Sequence, residues 1–280
     1  MTTAVRDASS FDHLPAVFDR LAELVGAPLT AYLRPLLPAR GERAVDLGCG
    51  TGQHAALLAA HYEQVLAVDV SAPMLDLARQ KRPRRNIRYQ QRDLTEVAPR
   101  KDGTFDLVFT AHTLHHVPDL ELSLIELRDL VRPGGQAIII DNVDDRRRVP
   151  RAWFVREARR ALLADLRHRR RTVREAWETH RLSTHPAWLD HLTSDTFLPP
   201  AEWETTARRV LPRATITPLY RARALHWTRP DEDSRSGTRA LLDDADRRTD
   251  AVTLAELDAA DREWRAALSC GGRTPSMRRP

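Results

Sequence analysis

The sequence predicts a doubly wound α/β fold with a mostly parallel sheet. Between residues 41 and 142, five short apolar segments alternate with segments of helical periodicity. Apolar residues at consecutive positions are typical of parallel strands covered on both faces, and the alternation predicts strand–helix units. Two of the segments end in an acid, Asp69 and Asp93. Because ligands of such sheets bind at the carboxyl ends of the strands, both acids are candidate site residues.

Residues 1–40 are predicted to form N-terminal cap helices. Residues 1–10 are polar and terminal, and we expect them to be disordered. From Phe11 onward, apolar residues recur at steps of three and four, which predicts an amphipathic helix. A second helix begins near Pro28, and Pro35 and Pro38 end it because proline disrupts a helix interior.

A glycine loop follows the first predicted strand, residues 44–47. Asp46 lies within the strand, and three glycines in alternate positions follow it: Gly48, Gly50 and Gly52. Residues 55–60 then have helical spacing. Glycine lets a ligand approach the backbone closely, and a helix start offers free N–H groups to a negative group. The unit therefore predicts a site for an elongated polar ligand.

The loop pattern by itself leaves the cofactor open. Gly50, Gly52 and Ala55 satisfy a loose dinucleotide-binding pattern, and Asp69 lies roughly 20 residues beyond the loop, where a ribose-binding acid is expected. An NAD(P)-dependent oxidoreductase is one interpretation, and a second cofactor class fits the same unit.

Four more strands are predicted in the core, at residues 64–69, 86–93, 105–110 and 136–142. Ser71 and Pro73 start the helix after the second strand, because serine caps a helix and proline fits its first turn. Asp119 introduces an amphipathic helix that ends before the Pro-Gly-Gly segment at residues 133–135. Asp69 is placed to accept hydrogen bonds from both hydroxyls of a ribose.

Residues 143–200 depart from the regular alternation. A long helix over residues 153–166 is interrupted by three arginines at 169–171, and helical spacing then continues to Leu182. Residues 201–229 are predicted to form a closing helix around Trp203 and two strands, at 214–220 and 222–228. Residues 230–280 are predicted to be a polar linker, a helix over 254–268 and a disordered tail.

Several core segments resemble the class I S-adenosylmethionine-dependent methyltransferases, in particular those of type 11. Asp46 and the glycine loop are similar to motif I of that family. Phe-Asp-Leu-Val at 105–108, Leu-His-His-Val at 114–117 and Arg-Pro-Gly-Gly at 132–135 also look like this family. The resemblance covers about residues 41–142. It implies a Rossmann-like sheet of about seven strands, mostly parallel with an antiparallel closing strand, N-terminal helices over the cofactor and a helical acceptor-binding lid at 143–200.

The resemblance also implies a cofactor and an activity, and it disfavours an NAD(P)-dependent oxidoreductase. The cofactor is S-adenosyl-L-methionine, and the activity is in-line methyl transfer to an oxygen, nitrogen or carbon atom of a small molecule such as a secondary metabolite. In the family, Asp93 corresponds to the carboxylate that meets the adenine amino group, and Leu94 offers its N–H to the ring. The expected cofactor-binding residues are Asp46, Gly48, Gly50, Gly52, Asp69, Val70, Met74, Asp93, Leu94 and Thr110.

Three histidines after the fourth strand are the candidate catalytic residues: His112, His115 and His116. A neutral imidazole near pH 7 could remove a proton from a hydroxyl or an ammonium group. Alternatively, at least one of the three caps the following helix or packs beneath the loop. We expect no metal site, because His115 and His116 are adjacent and their side chains should diverge.

Charge and composition restrict the partners. The chain has 42% hydrophobic and 30% charged residues, which is ordinary for a soluble globular protein. Its net charge of +5 would permit nucleic acid, but Lys81 and Lys101 are its only lysines, and the arginine excess suggests a GC-rich coding bias as readily as phosphate contacts. We expect a small-molecule acceptor and no nucleic-acid partner. An RNA- or protein-modifying enzyme, or a binding module that uses the arginine-rich helices, is the alternative.

The expected location is the cytoplasm. No segment approaches the roughly 20 apolar residues that span a bilayer, and the N-terminus has no apolar signal core. The two cysteines, Cys49 and Cys270, suggest no disulfide framework. We expect a monomer or a homodimer with no membrane partner.

The lid is rich in arginine. Residues 146–181 contain 13 arginines and four acids. An apolar stripe of Trp153, Leu162, Leu166 and Trp177 should face the domain, which would leave most guanidinium groups in solvent. The alternative is that a few arginines, such as those at 169–171, turn inward and hold an anionic acceptor, for which their planar fork is suited.

Overall fold

The structure, a computed structural model, describes residues 11–219 and 221–231. Its strands are β1 (Gly41–Leu47), β2 (Tyr62–Asp69), β3 (Ile87–Gln91), β4 (Phe105–Ala111), β5 (Val131–Asn142), β6 (Thr215–Leu219) and β7 (Ala222–Thr228). They form one seven-stranded sheet in the order β3-β2-β1-β4-β5-β7-β6. Strands β1 to β5 pair in parallel, and β7 is antiparallel to both β5 and β6. The predicted mostly parallel sheet with an antiparallel closing strand is confirmed.

The helices are α1 (Pro15–Val25), α2 (Ala27–Leu33), α3 (Gln53–Leu58), α4 (Ala72–Lys81), α5 (Pro99–Asp102), α6 (Leu120–Leu130), α7 (Arg151–His168), α8 (Val173–Ser183), α9 (Pro186–Ser194) and α10 (Pro200–Val210). None of these helices is both long enough and apolar enough to cross a membrane. The expectations for residues 1–10, and for the C-terminal region from residue 232 on, lie outside the described residues.

Apolar residues cover the sheet on both faces. Val45, Val108 and Ile139 belong to one buried cluster, together with Trp203 of α10. Their strand neighbours belong to a second cluster on the other face, which includes Ala44, Leu107, Phe109, Ile138 and Ile140. Because successive side chains of a strand point to opposite faces, consecutive apolar residues give each strand two buried faces. The carboxyl ends of the strands are therefore left as the place for a site.

Local sequence sets several boundaries. The Ser71 hydroxyl accepts a hydrogen bond from the Met74 N–H at the start of α4, as predicted, and Asp119 caps α6 in the same way. Strand β5 begins at Val131, five residues before the predicted start, because Val131 pairs with Phe105 ahead of a register shift. The Pro-Gly-Gly segment is therefore part of an irregular strand start.

In the predicted lid, residues 143–200, helices α7 and α9 and the segments beside them share a small core, formed by Val149, Phe154, Leu189 and Phe197. The predicted apolar stripe is only partly correct. Leu162 is buried, but Leu166 is 37% exposed and Trp177 is 55% exposed. Helix α8 buries Ala176, Thr179 and Leu182 instead, because its small residues allow close packing against α7.

Ion pairs and hydrogen bonds join the lid to the N-terminal helix. The Arg20 guanidinium of α1 donates to both carboxylate oxygens of Glu178 of α8, at 2.8 and 2.9 Å. Arg171, just before α8, donates through Nε and Nη2 to the Leu24 carbonyl oxygen of α1, at 3.3 and 3.1 Å. Helix α1 is thus fastened to α8.

Strands β3 and β6 are the two edges of the sheet. Pro218 lies within β6, where it faces Arg223 of β7. Proline is confined to edge strands because it cannot donate a ladder hydrogen bond.

Candidate active site

The glycine loop adopts a conformation that other residues seldom take. All three of its glycines have positive φ: 75° at Gly48, 51° at Gly50 and 79° at Gly52. A Cβ atom on Gly48 would lie 2.3 Å from Thr113 Oγ1, whereas one on Gly50 would lie 3.2 Å from Cε1 of Phe18. Gly48 is therefore required by packing inside the protein. At Gly50, the absence of a side chain leaves the loop backbone uncovered on the side where Phe18 of α1 lies.

Asp69, the last residue of β2, is bonded to this loop. Its Oδ2 accepts the Gly50 N–H at 2.7 Å, and its Oδ1 accepts the Ser71 N–H at 2.9 Å. Burial raises the pKa of Asp69, although these N–H groups oppose the shift. The two N–H groups fix the orientation of the carboxyl group and leave further acceptor capacity on each oxygen.

A narrow cleft of about 70 Å³ lies at the carboxyl ends of β1, β2 and β4. The glycine loop and Asp69 form one side, and residues that follow β4 form the other. Two aromatic rings of the N-terminal region also line it. The lining residues are Phe11, Phe18, Gly48, Gly50, Asp69, Val70, Met74, Arg92, Leu94, Ala111, His112, Thr113 and His116.

Six of the ten residues expected to bind the cofactor line this cleft: Gly48, Gly50, Asp69, Val70, Met74 and Leu94. The other four are outside the lining set. Thr110 is buried and donates to the Leu47 carbonyl oxygen at 2.8 Å. Asp93 caps a short 3₁₀ turn, where its Oδ1 accepts the Thr95 N–H at 2.9 Å. Gly52 caps α3.

Asp46, the fourth of these residues, is 1% exposed. Its Oδ2 has no hydrogen-bond partner among the described residues. Burial, with the nearby Asp69 carboxylate as a smaller cause, raises the pKa of Asp46 to about 8. A carboxyl group in this state is largely protonated at neutral pH and can donate a hydrogen bond.

Sequence reasoning missed several residues of the cleft, among them Phe18, Thr113 and Arg92. The sequence predicts Phe18 only as part of the apolar stripe of the first helix, and its place over Gly50 depends on how α1 packs. Thr113 and Arg92 had no local pattern that distinguished them from their neighbours. Arg92, next to the predicted Asp93, is held by Asp102 at 2.8 Å.

The three candidate histidines have different surroundings. His112 is exposed and lines the cleft, and its Nδ1 lies 3.1 Å from Oδ1 of Asn142. It has a φ of 56°, an uncommon value for a residue with a side chain. Loss of hydration on its buried side lowers the pKa of His112, so the ring is neutral at pH 7. Because Asn142 Oδ1 is an acceptor, we assign the ring proton to Nδ1.

His115 and His116 are directed toward the lid. His115 Nδ1 lies 2.7 Å from Oδ1 of Asp141, the residue before Asn142 on β5. Burial lowers the pKa of His115 to about 3 and that of His116 to about 2. The expectation that the two rings diverge is wrong, since their centroids lie 4.0 Å apart.

Two lid residues meet these histidines. Asp195 and His191, at the end of α9, are 5% and 6% exposed. Asp195 Oδ2 lies 3.8 Å from His115 Nε2, and its Oδ1 lies 3.7 Å from His116 Nδ1. Neither residue was a candidate in the sequence, because only the folded lid brings α9 against the loop after β4.

A larger cavity of about 400 Å³ lies on the other side of His115. Charged groups of both signs line it, and they include the ion pairs Arg147–Glu202 at 2.9 Å and Arg209–Glu121 at 2.8 Å. Asn142 lines this cavity as well as bonding to His112. The cavity can hold a polar small molecule.

Several known proteins are similar to the part of this chain that contains the site. The family described as a methyltransferase domain matches residues 45–139. O-methyltransferase cnsE of Penicillium expansum is 33% identical over 144 residues, which cover 50% of this chain and 49% of that protein. Trans-aconitate 2-methyltransferase of Deinococcus radiodurans is 41% identical over 107 residues, which cover 37% of this chain and 39% of that protein. The aligned segments span about half of these relatives or less.

Among solved structures, the complex of DhpI with SAH superposes with a TM-score of 0.55 at 22% identity, and the match covers 80% of this chain and 95% of that one. At this identity the likeness shows the fold. The matched domain contains the glycine loop, Asp69 and the three histidines. Residues 45–139 are therefore identified as a methyltransferase domain, and the fold is one that is also found in a solved structure of a complex with SAH.

Proposed function

We propose that the protein transfers the methyl group of S-adenosyl-L-methionine, by in-line displacement, to an oxygen, nitrogen or carbon atom of a small molecule. The observation that carries the proposal is the cleft itself. It has the glycine loop and Asp69 on one side and His112, a neutral proton acceptor, on the other. We favour an oxygen acceptor because a hydroxyl group must lose a proton, and an imidazole can take it.

The residues of the cleft fit the cofactor. Gly50 leaves room for close approach to the loop backbone, and each Asp69 oxygen can accept one further hydrogen bond from a ribose hydroxyl. Val70, Met74 and Leu94 supply apolar surface for an adenine ring. When bound, S-adenosylmethionine supplies a methyl group that is already activated on sulfur.

The N-terminal helix must move for the cofactor to enter. The cleft volume of about 70 Å³ is well below the roughly 300–1,000 Å³ of ligand pockets. Phe18 lies over Gly50, and Phe11 also lines the cleft. We therefore propose that α1 is a cover that shifts outward on binding and then shields the cofactor from water.

His112 is the proposed catalytic base among the three candidates. Its Nδ1–H donates to Asn142, so Nε2 is the lone-pair atom that takes the proton of the acceptor. Burial lowers the pKa of all three rings, and it lowers those of His115 and His116 to about 3 and about 2, so these two are poor proton acceptors at neutral pH. His112 is also the exposed ring of the three. The larger cavity, which shares Asn142, would hold the acceptor near His112.

The remaining expectations belong to the same proposal. Residues 143–200 would serve as the acceptor-binding lid over a core of residues 41–142. A small-molecule partner without nucleic acid is proposed from composition, and a cytoplasmic location from cysteine usage. A monomer or homodimer is also proposed.

The first test measures ligand binding. S-adenosylmethionine and S-adenosylhomocysteine should raise the melting temperature of the protein, and NAD and NADP should leave it unchanged. A panel of hydroxylated small molecules with isotopically labelled methyl donor should then give a labelled product, whose methylated atom nuclear magnetic resonance identifies. A melting temperature that responds to NADP and not to S-adenosylmethionine would overturn the proposal.

A further inference from the structure

Four metal-ligating side chains converge where the lid meets the core. His115 and His116 follow β4, and His191 and Asp195 come from the end of α9. One ligand atom from each of His115, His116 and Asp195 lies within 4.8 Å of the others. The side chains of these three residues are 3%, 10% and 3% exposed. His191 Nε2 lies 4.0 Å from Asp195 Oδ2.

The facing atoms do not hydrogen-bond to one another. The separations of 3.7 Å and 3.8 Å from Asp195 to the two adjacent histidines exceed hydrogen-bond length. Buried polar atoms that face one another without a hydrogen bond are costly to leave unsatisfied. A cation placed between them would bind to these atoms and satisfy them.

The charged groups around the cluster also favour a bound cation. Asp141 and Asp195 are two buried carboxyl groups beside the rings of His115 and His116. Arg221 lies near Asp195, but its guanidinium is paired with Asp144 at 2.9 Å. Both acids are therefore available to balance the charge of a divalent ion.

Asp141 orients one of the ligand atoms. Because the His115 Nδ1–H donates to Asp141 Oδ1 at 2.7 Å, Nε2 carries the lone pair and is directed at Asp195. In metal sites, a carboxylate commonly accepts the second ring N–H of a metal-bound histidine. This hydrogen bond fixes the tautomer and raises the basicity of the ligand.

We propose that His115, His116 and Asp195 bind a divalent transition-metal ion such as Zn²⁺, with His191 as the fourth ligand, and that this ion fastens the lid to the core. Imidazole nitrogens with one carboxylate oxygen form a set that suits such an ion. Tetrahedral bonds of about 2.0–2.1 Å place ligand atoms about 3.3 Å apart. A small inward movement of α9 would shorten the separations of 3.8 and 3.7 Å from Asp195 to His115 and His116 to this value. A rotation of the His191 side chain would do the same for its separation of 4.0 Å from Asp195.

The sequence analysis predicts no metal site, because the side chains of the adjacent residues His115 and His116 were expected to diverge. Here they lie in a 3₁₀ turn, Leu114–His116, whose geometry lets both rings meet the same lid residue. The inference is independent of methyl transfer, since metal binding is measured without cofactor or acceptor.

The experiment uses the full chain after treatment with a chelator. Titration with Zn²⁺ should show one ion per chain and a rise in melting temperature, and Co²⁺ should give the visible absorption of a four-coordinate site. The variants His116→Gln and Asp195→Asn should each weaken binding by more than about tenfold, and Asp141→Asn by about 10–100-fold. His185→Gln, at an exposed histidine that starts the same helix α9, should bind as the unaltered protein does.

Two results would overturn the proposal. One is absence of stoichiometric Zn²⁺ binding, and the other is equal affinity in the unaltered protein and in the folded His116→Gln and Asp195→Asn variants. X-ray absorption of the Zn²⁺-loaded unaltered protein gives a further check that needs no variant. It should show at least two imidazole ligands, and sulfur ligands or fewer than two imidazoles would contradict the assignment.

Discussion

Asp69 Oδ2 accepts the backbone N–H of Gly50 at 2.7 Å, so the acid at the end of β2 and the loop after β1 are held as one unit. The two residues come from neighbouring parallel strands, and their pairing fixes both the position of the carboxylate and the path of the loop. A change in either residue should therefore affect ligand binding through the other.

Asp69→Ala should weaken S-adenosylmethionine binding by about 1.5–3 kcal/mol, the scale for losing hydrogen bonds to a charged group. Isothermal titration calorimetry measures this loss. Asp76→Ala, at an exposed acid on α4, is the matched control and should bind normally. Unchanged affinity in a folded Asp69→Ala protein would remove Asp69 from the site.

Gly50→Val should reduce cofactor affinity more than Asp69→Ala does. A β-branched residue is strained at a φ of 51°, and its Cβ would lie 3.2 Å from Phe18 Cε1. Calorimetry with Gly50→Ala and the double variant Gly50→Ala, Phe18→Leu separates the two causes. If contact with Phe18 is the main cause, the double variant should bind the cofactor more tightly than Gly50→Ala does. Retained binding in Gly50→Val would show that the glycine loop does not bind the cofactor.

His112→Gln should lower kcat by about 10²–10⁴-fold, the range for loss of a general base. Cofactor affinity should stay constant because the ring is proposed to act on the acceptor. Asn142→Ala should lower kcat by a smaller factor, since it removes only the hydrogen bond that orients the His112 ring. Steady-state kinetics with the identified acceptor measure both, with His185→Gln as control. Full activity in His112→Gln would exclude the ring as the base.

Arg171→Ala should lower the free energy of unfolding by about 1–3 kcal/mol. The change removes the hydrogen bonds to Leu24 and leaves the buried Asp165 without its guanidinium partner. Urea unfolding measures the loss, and Arg170→Ala, at an exposed neighbour, should change stability by less than about 0.5 kcal/mol. Equal stability of the two variants would contradict the structural role of Arg171.

The anion-binding alternative named Arg169, Arg170 and Arg171. Arg171 is held by Leu24 and Asp165, so the test uses the exposed Arg169 and Arg170. Reversing both charges should leave acceptor KM unchanged if they are only solvated. A rise in KM with constant cofactor affinity would instead support a role in holding an anionic acceptor.

Asp144 should contribute to stability in a defined pH window. Hydrogen bonds from Arg146, with Arg221 nearby, lower the pKa of Asp144 from its usual 3.8 to about 2. Because the folded pKa is below the unfolded one, the stabilisation is complete above pH about 4 and is lost as the pH falls toward 2. Asp144→Asn should therefore cost about 1–2 kcal/mol at pH 6 and little near pH 2. Denaturant unfolding at both pH values tests this, with the exposed Asp145→Asn as control.

The features that sequence predicted well are local ones. Asp69 was identifiable because a continuous apolar strand ends in it, and the glycine loop because three glycines alternate after a strand. The caps of Ser71 and Asp119 also depend only on nearby residues. Such patterns act through bonds within a few residues, and a sequence displays them directly.

Features that depend on packing between distant elements were not predictable. Asp195 and His191 meet His116 only because α9 folds back on the core, 75 or more positions along the chain. The apolar stripe at helical spacing predicts that Trp177 faces the domain, yet the neighbouring Ala176 is the buried residue because it lets α8 approach α7. Phe18 looked like any other apolar residue of an amphipathic helix.

Pro218 has a consequence for association between copies of the chain. It lies in β6, at an edge of the sheet whose backbone groups could otherwise pair with a strand from another molecule. An incoming strand would find no N–H at this position, so the ladder of intermolecular bonds would be interrupted there. At high protein concentration, this edge should therefore resist sheet-to-sheet aggregation.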